Sequence, residues 1–451
     1  MPVVAAVDCG ATSIRVSRVD LDAPTLVPEV VHRVAHAPVH DANGHLRWDW
    51  DAIMSGVVEG LERCLRLGPL ASIGVDTWAV DYGLLDESGQ LLSAPYSYRD
   101  HRTDDYRQVV DAFGAEAMYR INGLQLQPFN TIFQLSVHNR RELDRATRLL
   151  WLPELIVHTL TGVAVTERTS AGSSALVDLA TGNWSPELLA LAGIDRQLLG
   201  EIEPASHLVG TWRGVPVALV GGHDTASAVA GMGVCSSGGS AFVASGTWML
   251  AGVERPTADI SSWARERNFT NEAGALGGFR FLCNVTGFWL LEQCRVQWGD
   301  ITIDKLIAAA ETVPPDAVPV VDVDADVLRS PADMLTAFTG LAGLPRDAQP
   351  GLVTRSIVES IARRTAEVLD QLAMVSSFDD VILFGGAARM SLLVRRLADL
   401  GGRAVRVGSA EAATLGNAIV QGLAIGAFTS LDDGRTRIAT GAPQAHDHRF
   451  R

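Results

Sequence analysis

Residues 3–20, VVAAVDCGATSIRVSRVD, hold two apolar runs separated by a short stretch of small and hydroxyl residues. Residues 3–7 and 14–19 read as strands because β-branched side chains dominate both, and DCGATS between them reads as a tight loop. The phrase returns much later. Residues 240–254, SAFVASGTWMLAGVE, again give an apolar strand, a small loop of Ser245, Gly246 and Thr247, and a second strand beginning at Trp248. Two such phrases, one opening each half, imply a duplicated α/β architecture.

Strand and helix patterns alternate around them. WDAIMSGVVEGLERCLRLG (50–68) has helical periodicity, ASIGVD (71–76) reads as a buried strand, and GLLDESGQLL (83–92) as a hairpin around Ser88 and Gly89. In the second half Ile357, Ile361, Thr365, Val368 and Leu372 share one helical face. DDVILF (379–384) is then a strand running into Gly385 and Gly386, followed by a helix, a short strand and a helix over 411–424. The glycine- and serine-rich stretch 231–239 suits a hinge, which divides the chain into residues 1–233 and 234–451. The proline- and aspartate-rich stretch 313–333 reads as a surface excursion.

Composition narrows the chemistry. A formal net charge of −15 disfavours nucleic acid or an anionic membrane surface as partner. The start of the chain lacks the features of a signal peptide, and no long apolar run reads as a transmembrane helix. Five scattered cysteines without a C-x-x-C pair suggest neither a disulfide framework nor zinc, so a cytoplasmic location is expected. Lys305 is the single lysine, which leaves no G-x-x-x-x-G-K-[ST] loop and no kinase-type strand lysine. If the protein handles phosphates, that work falls to backbone amides, hydroxyls and a metal.

Several constellations can carry such chemistry, each with a plainer reading beside it. The loop behind Asp8 can turn backbone N–H groups and the Thr12 and Ser13 hydroxyls toward an anion, with Asp8 holding magnesium through water; alternatively Asp8 only caps a turn. Gly246 and Thr247 offer a second small loop, and Gly385 and Gly386 permit close approach of a flat ligand such as adenine, although both are also common turns. Asp76 and Asp81 around Trp78 offer acceptors and an apolar wall to a sugar, or belong to turn and core. In VPVALVGGHDTASAVAG (215–231), Asp224 reads either as a helix N-cap or as a general base, with His223 beside the same substrate. Phosphoryl transfer asks for little beyond an oriented nucleophile, a metal and amide-rich loops.

Together these motifs resemble the FGGY carbohydrate kinases, most closely their rhamnulokinase branch. The matching phrases are AVDCGATSIR, SIGVDTWAVDYGLLDESG, YRDHRT, LQPFNTIFQL, HDTASAV, SGTW, CNVTGFWLLEQ and EAATLGN, in order along nearly the whole chain. The resemblance implies two ribonuclease-H-like domains of the actin and hexokinase type flanking an active-site cleft. It further implies ATP- and Mg2+-dependent phosphorylation of a ketose, expected to be L-rhamnulose at O1. Carried over by residue, Asp224 is the catalytic base; Trp78, Ala79, Asp81, His223, Thr225 and Asn284 are substrate contacts. Ala11, Thr12, Ser13 and Arg15 match the first phosphate loop, Gly246 and Thr247 the second, and Gly385 and Gly386 the adenosine loop, with Glu292 at a further nucleotide position and Asp8 at the metal.

The departures from the pattern are Ala79 and Ile14 in place of glycines, Glu292 in place of a glutamine, and Ala387, Arg389 and Met390 after the adenosine glycines. Ala79 leaves L-fuculose or a pentulose open as substrate, and the altered nucleotide positions leave open a sugar-binding regulator without turnover. Oligomeric state is not legible.

Overall fold

A computed structural model describes residues 2–438 except 247, 300 and 330. The described residues form two compact units: residues 2–233, 254–281 and 412–438, and residues 234–253 and 282–411.

The first unit is built on a sheet of β1 (Val3–Gly10), β2 (Ser13–Asp20), β3 (Glu29–Ala35), β4 (Ser72–Thr77), β5 (His207–Trp212) and β6 (Val215–Leu219). Their spatial order is β5-β6-β4-β1-β2-β3. The opening phrase is the antiparallel pair β1 and β2, joined by the two residues Ala11 and Thr12. On the other side of β1 runs β4 in parallel, and β6 is parallel to β4. β4 is buried along its whole length, as a parallel strand covered on both faces should be.

Side chains alternate across β1. Ala5, Val7 and Cys9 join the core with Ile53, Val57 and Leu61 of α1 (Trp50–Arg66), while Val4 joins Leu415, Ala418 and Ile419 on the far side. Gly56 and Gly60 let α1 sit close to β2 and β3, because a Cβ at either would press on Val34 or Val16.

Four short helices position the candidate site in this unit: α2 (Leu152–Thr161), α3 (Arg168–Ser173), α4 (Asp224–Ala230) and, from the far end of the chain, α7 (Ala412–Ala424). α7 crosses α4 at Gly231 and Gly416, where a Cβ on either would collide with the opposite backbone. Arg435 then ties the chain end down, donating to the carbonyls of Ala230 (3.1 Å) and Val229 (2.8 Å) and to Glu254 (2.9 Å). The first unit is discontinuous in sequence: residues 254–281 and 412–438 return to it after the stretch that ends at residue 233.

The second six-stranded sheet contains β7 (Ser240–Ser245), β8 (Trp248–Arg255), β9 (Thr270–Ala273), β10 (Phe279–Thr286), β11 (Asp380–Gly385) and β12 (Ala404–Val407), in the order β9-β10-β8-β7-β11-β12. It repeats the first pattern: an antiparallel pair β7/β8, with β11 parallel to β7 and β12 parallel to β11. Here α5 (Pro350–Ala373) and α6 (Ser391–Gly401) are the helices of the alternating pattern. The duplication read from the two phrases is therefore a duplication of sheet topology.

Two local readings are met. Residues 83–92 turn at Gly89 (φ 76°), with the antiparallel bridge Leu85–Leu91 flanked by Asp86 N–H to Gln90 O (2.9 Å) and Leu92 N–H to Leu84 O (2.8 Å). The strand Tyr82–Leu85 also pairs with Arg148–Trp151, and the Asp86 side chain accepts from the Ser88 and Gln90 amides within the turn. Residues 313–333 carry short 3-10 turns at Pro315–Ala317 and Asp326–Leu328 and no strand among the described residues, as a surface excursion should.

Candidate active site

In the first unit the ends of β1, β4 and β6 bring together acidic side chains. Asp8 is opposite Arg15 in the β1/β2 ladder and opposite Asp76 in the β1/β4 ladder. Its Oδ2 accepts from Arg15 Nη2 at 2.9 Å and from the Thr414 hydroxyl at 3.3 Å. Asp76 is fully buried; its Oδ2 accepts from Asn417 Nδ2 at 2.6 Å, and Oδ1 has no hydrogen-bond partner among the described residues. Burial, then the Asp8 and Asp224 charges, push the Asp76 carboxyl well above the usual carboxylate range.

Asp224 is the first residue of α4. The plain N-cap reading does not hold: His223 occupies the cap position and no side chain caps the helix. The Asp224 side chain is 29% exposed, and its Oδ1 accepts from the Thr225 hydroxyl at 3.2 Å. Burial and then the Asp8 charge push its pKa up to about 7, against the pull of Thr225 and Arg280. The group is thus poised to exchange a proton near neutrality.

His223 is carried on the extended turn after β6, where Thr77 N–H donates to Gly222 O at 2.8 Å. The turn rests on a buried acidic floor. Glu167 Oε2 accepts from the amides of Gly222 (3.0 Å), Thr169 (2.8 Å) and Ser170 (3.3 Å), and the Thr169 hydroxyl in turn accepts from His223 N–H at 3.1 Å. Glu154 Oε1 accepts from Glu167 N–H at 3.2 Å. Gly222 has no side chain because a Cβ would meet the Ser170 hydroxyl at 2.7 Å and Glu154 Oε1 at 3.1 Å. Burial first, with Glu167 beside it, pushes Glu154 up to about 8, and burial pushes Glu167 up to about 7.

The first loop is braced from β3. The His36 N–H donates to Thr12 O at 3.1 Å, and its ring Nε2 lies 2.8 Å from Gly10 O. The same imidazole stacks on Trp78 at 5.4 Å between ring centres. Ile14, which stands where the family pattern has glycine, is fully buried in the core and leaves the loop itself unobstructed.

Asp81 is fully buried, and its two oxygens accept from Trp48 Nε1 (2.7 Å), Trp78 Nε1 (2.9 Å), Tyr98 N–H (3.1 Å) and Gln134 Nε2 (3.0 Å). Indole N–H groups taken from water need acceptors, so this carboxylate anchors the Trp48–Trp78 pair. Burial pushes it up to about 6 against those four donors. Ala79 is half-buried beside it, and the next residue, Val80, holds a left-handed φ of 72°. For a β-branched residue that conformation costs about 1–3 kcal/mol. Thr131 and Gln134 hold the Val80 carbonyl at 2.8 and 3.3 Å.

In the second unit, Gly246 follows β7 and its carbonyl accepts from Phe288 N–H at 3.3 Å. Gly385 lies opposite Ser245 in the β7/β11 ladder with φ 91°, and a Cβ on it would strike the Ser245 carbonyl. Gly386, by contrast, faces open space. The structure therefore brings Gly246 and Gly385 to the same end of adjacent strands. Asn284 is half-buried near the end of β10. Thr247 lies outside the described residues. Glu292 makes a double hydrogen bond with Arg295 at 2.8 and 2.6 Å, so its charge is neutralised locally. Arg389 is exposed and Ala387 buried in the 3-10 turn Gly386–Arg389.

Sequence reasoning missed the supports: Thr414 and Asn417 on α7, the Glu154 and Glu167 floor, and Arg280 with Glu272 behind His223. One signal was available. Thr414, Asn417 and Gln421 are spaced three and four apart, a polar stripe on an otherwise apolar helix.

The donor set suits a hard cation. Asp8, Asp76 and Asp224 offer only oxygen, the Asp8 charge raises the proton affinity of both Asp76 and Asp224, and Asp76 Oδ1 is a buried polar atom with no hydrogen-bond partner among the described residues. No group of three or more His, Cys, Asp or Glu gathers into a cage among the described residues. Magnesium needs none, since it keeps most of its water and one or two carboxylates with phosphate oxygens suffice.

Residues 3–233 match the N-terminal domain of the FGGY family of carbohydrate kinases, and residues 241–425 its C-terminal domain. The chain is 34% identical over 458 residues to a rhamnulokinase of Bacteroides thetaiotaomicron, covering 97% of this chain and 94% of that one. It is 36% identical over 445 residues to a rhamnulokinase of Pectobacterium atrosepticum, covering 95% and 89%. Among solved structures it is similar to a ligand-bound xylulose kinase of Lactobacillus acidophilus (TM-score 0.82, 17% identity, 98% and 93% covered). It is also similar to Plasmodium falciparum glycerol kinase with ADP (TM-score 0.77, 16% identity, 97% and 93% covered). No helix among the described residues is long and apolar enough to cross a membrane.

Proposed function

Because the chain belongs to the FGGY family of carbohydrate kinases, we propose that this sugar kinase transfers the γ-phosphoryl group of ATP to a ketose, L-rhamnulose at O1, with Asp224 as general base. The observation that carries the reading is the Asp224 carboxyl, partly exposed at the start of α4 and pushed up to about 7. A base matched to neutral pH removes the hydroxyl proton as the sugar oxygen attacks phosphorus and ADP leaves.

The other residues divide the remaining work. His223 and Thr225 orient the sugar, with Ala79 and the Trp78 indole beside it; Asp81 acts through the tryptophans it anchors. Asn284 is a further sugar contact. Ala11, Thr12, Ser13 and Arg15 bind phosphate from the first unit, and Gly246 and Thr247 from the second, while Gly385 and Gly386 receive the adenosine. Asp8 would hold magnesium, which would supply charge neutralisation of the phosphates. The local Arg295 pair removes the electrostatic objection to nucleotide near Glu292. A cytoplasmic location is part of the proposal.

The test is ADP formation with ATP and magnesium across L-rhamnulose, L-fuculose, L-ribulose and both xyluloses. Highest kcat/KM with L-rhamnulose supports the reading. Preference for another ketose moves the substrate, as the Ala79 methyl would allow, and silence across the panel overturns turnover in favour of a sugar-binding regulator.

A further inference from the structure

Behind His223 lies an arginine with no place in the reaction as described. Arg280, near the start of β10, is fully buried. Its Nε donates to Ala273 O at 3.2 Å, and its Nη2 lies 3.0 Å from Glu272 Oε2 and 3.2 Å from His223 Nδ1. Its Nη1 has no hydrogen-bond partner among the described residues. A buried donor left unpaired is costly, so the guanidinium is not placed to satisfy itself. What its position does determine is the imidazole.

A guanidinium has donors only and does not lose its proton in proteins. A ring nitrogen hydrogen-bonded to it must present a lone pair. Glu272 Oε2, 3.5 Å from the same Nδ1, would stabilise the opposite arrangement if Arg280 were absent. Arg280 thus stands between two tautomers of one histidine.

We infer that Arg280 is a positioning residue that holds His223 with Nδ1 as acceptor and the hydrogen on Nε2, the nitrogen 3.5 Å from Asp224 Oδ1. His223 then offers the sugar a hydrogen-bond donor while Asp224 offers it an acceptor, so one hydroxyl is oriented by the first and deprotonated by the second. Because Nδ1 carries the lone pair that accepts from Arg280 at 3.2 Å, the ring holds a single hydrogen, on Nε2. The assignment of a donor to His223 rests on the proposed sugar site; the tautomer itself does not.

The experiment is 15N NMR of the full chain labelled at histidine, with a His223→Gln variant to assign the signal. The expected spectrum at pH 7 shows a lone-pair-bearing Nδ1 and a protonated Nε2. In Arg280→Met the hydrogen moves to Nδ1 and toward Glu272, whereas in Arg280→Met/Glu272→Gln the two tautomers mix. A protonated Nδ1 or a tautomer mixture in the unaltered protein overturns the inference, and that spectrum is readable even if the variants fail to fold. So does an unchanged tautomer in folded Arg280→Met.

Kinetics read the consequence separately. Arg280→Met raises the ketose KM about tenfold or more, the loss of one oriented hydrogen bond, and leaves the ATP KM unchanged; an unchanged ketose KM beside a flipped tautomer overturns the donor role. The expected tautomer in a protein silent across the ketose panel sinks the kinase reading and upholds the Arg280 assignment.

Discussion

Asn417 Nδ2 donates to Asp76 Oδ2 over 2.6 Å, across 341 residues of sequence. The contact is one rung of a buried polar ladder along α7. Gln421 Nε2 donates to Asn417 Oδ1 (2.7 Å) and Ala5 O (3.0 Å), and the Ser72 hydroxyl donates to Gln421 Oε1 (2.6 Å). A helix from the end of the chain therefore fixes the carboxylates at the ends of β1 and β4, which links late sequence to the earliest strand.

Replacing Asn417 by leucine removes the one hydrogen bond made to the fully buried Asp76 carboxyl among the described residues. The expected loss is about 2–4 kcal/mol of stability, read as a lower midpoint in urea unfolding with an unchanged slope. A midpoint within error of the parent contradicts the ladder's role.

The two glycines after β11 should separate in their effects. Gly385→Ala meets both a φ of 91° and the Ser245 carbonyl, so it lowers stability by roughly 1–3 kcal/mol. Gly386 has open space around it; Gly386→Val keeps the fold and raises the ATP KM about tenfold by obstructing nucleotide. Thermal melts and nucleotide titrations read the two outcomes, and equal behaviour of both variants contradicts the assignment.

The Glu154 floor makes stability depend on pH. Its carboxyl moves from an ordinary 4.5 to about 8 in the folded protein. The unfolded chain releases that proton first, so the contribution is fully present below about pH 4.5 and is lost as pH rises through about 8. Glu154→Gln mimics the protonated form and flattens this part of the profile, so the variant gains on the parent as pH rises across that window. An advantage that shrinks with rising pH contradicts the assignment.

The strands around DCGATS and SGT were legible because β-branched periodicity and small loops are local properties, and their repetition carried the duplicated topology. His223 and Asp224 were legible as a charged pair at a strand-to-helix junction. The acidic floor was not, because Glu154 and Glu167 look like surface residues until the fold buries them. The setting of Asp81 was not legible for a related reason: the sequence shows a carboxylate beside a tryptophan, and only packing shows that Trp48, 33 residues earlier, also donates to it. The return of residues 412–438 to the first unit needed the whole chain, since it brings Gly416 against Gly231, 185 residues earlier, where a Cβ on either would collide with the opposite backbone.

The Asp224 assignment also sets a pH profile. The base works only when ionised, so kcat/KM for the ketose falls as pH drops below about 7, where burial and Asp8 place the carboxyl. A rate constant flat from pH 5 to 8 contradicts it; those bounds are about two units below and one above the expected inflection.

The most direct measurement is Asp224→Asn assayed for phosphoryl transfer and, in parallel, for ketose binding by calorimetry. The side chain keeps its size and loses its capacity to take a proton. The account predicts turnover reduced by about 10²–10⁴ with ketose affinity within a few-fold of the parent. Turnover close to the parent's, with binding intact, contradicts Asp224 as the base.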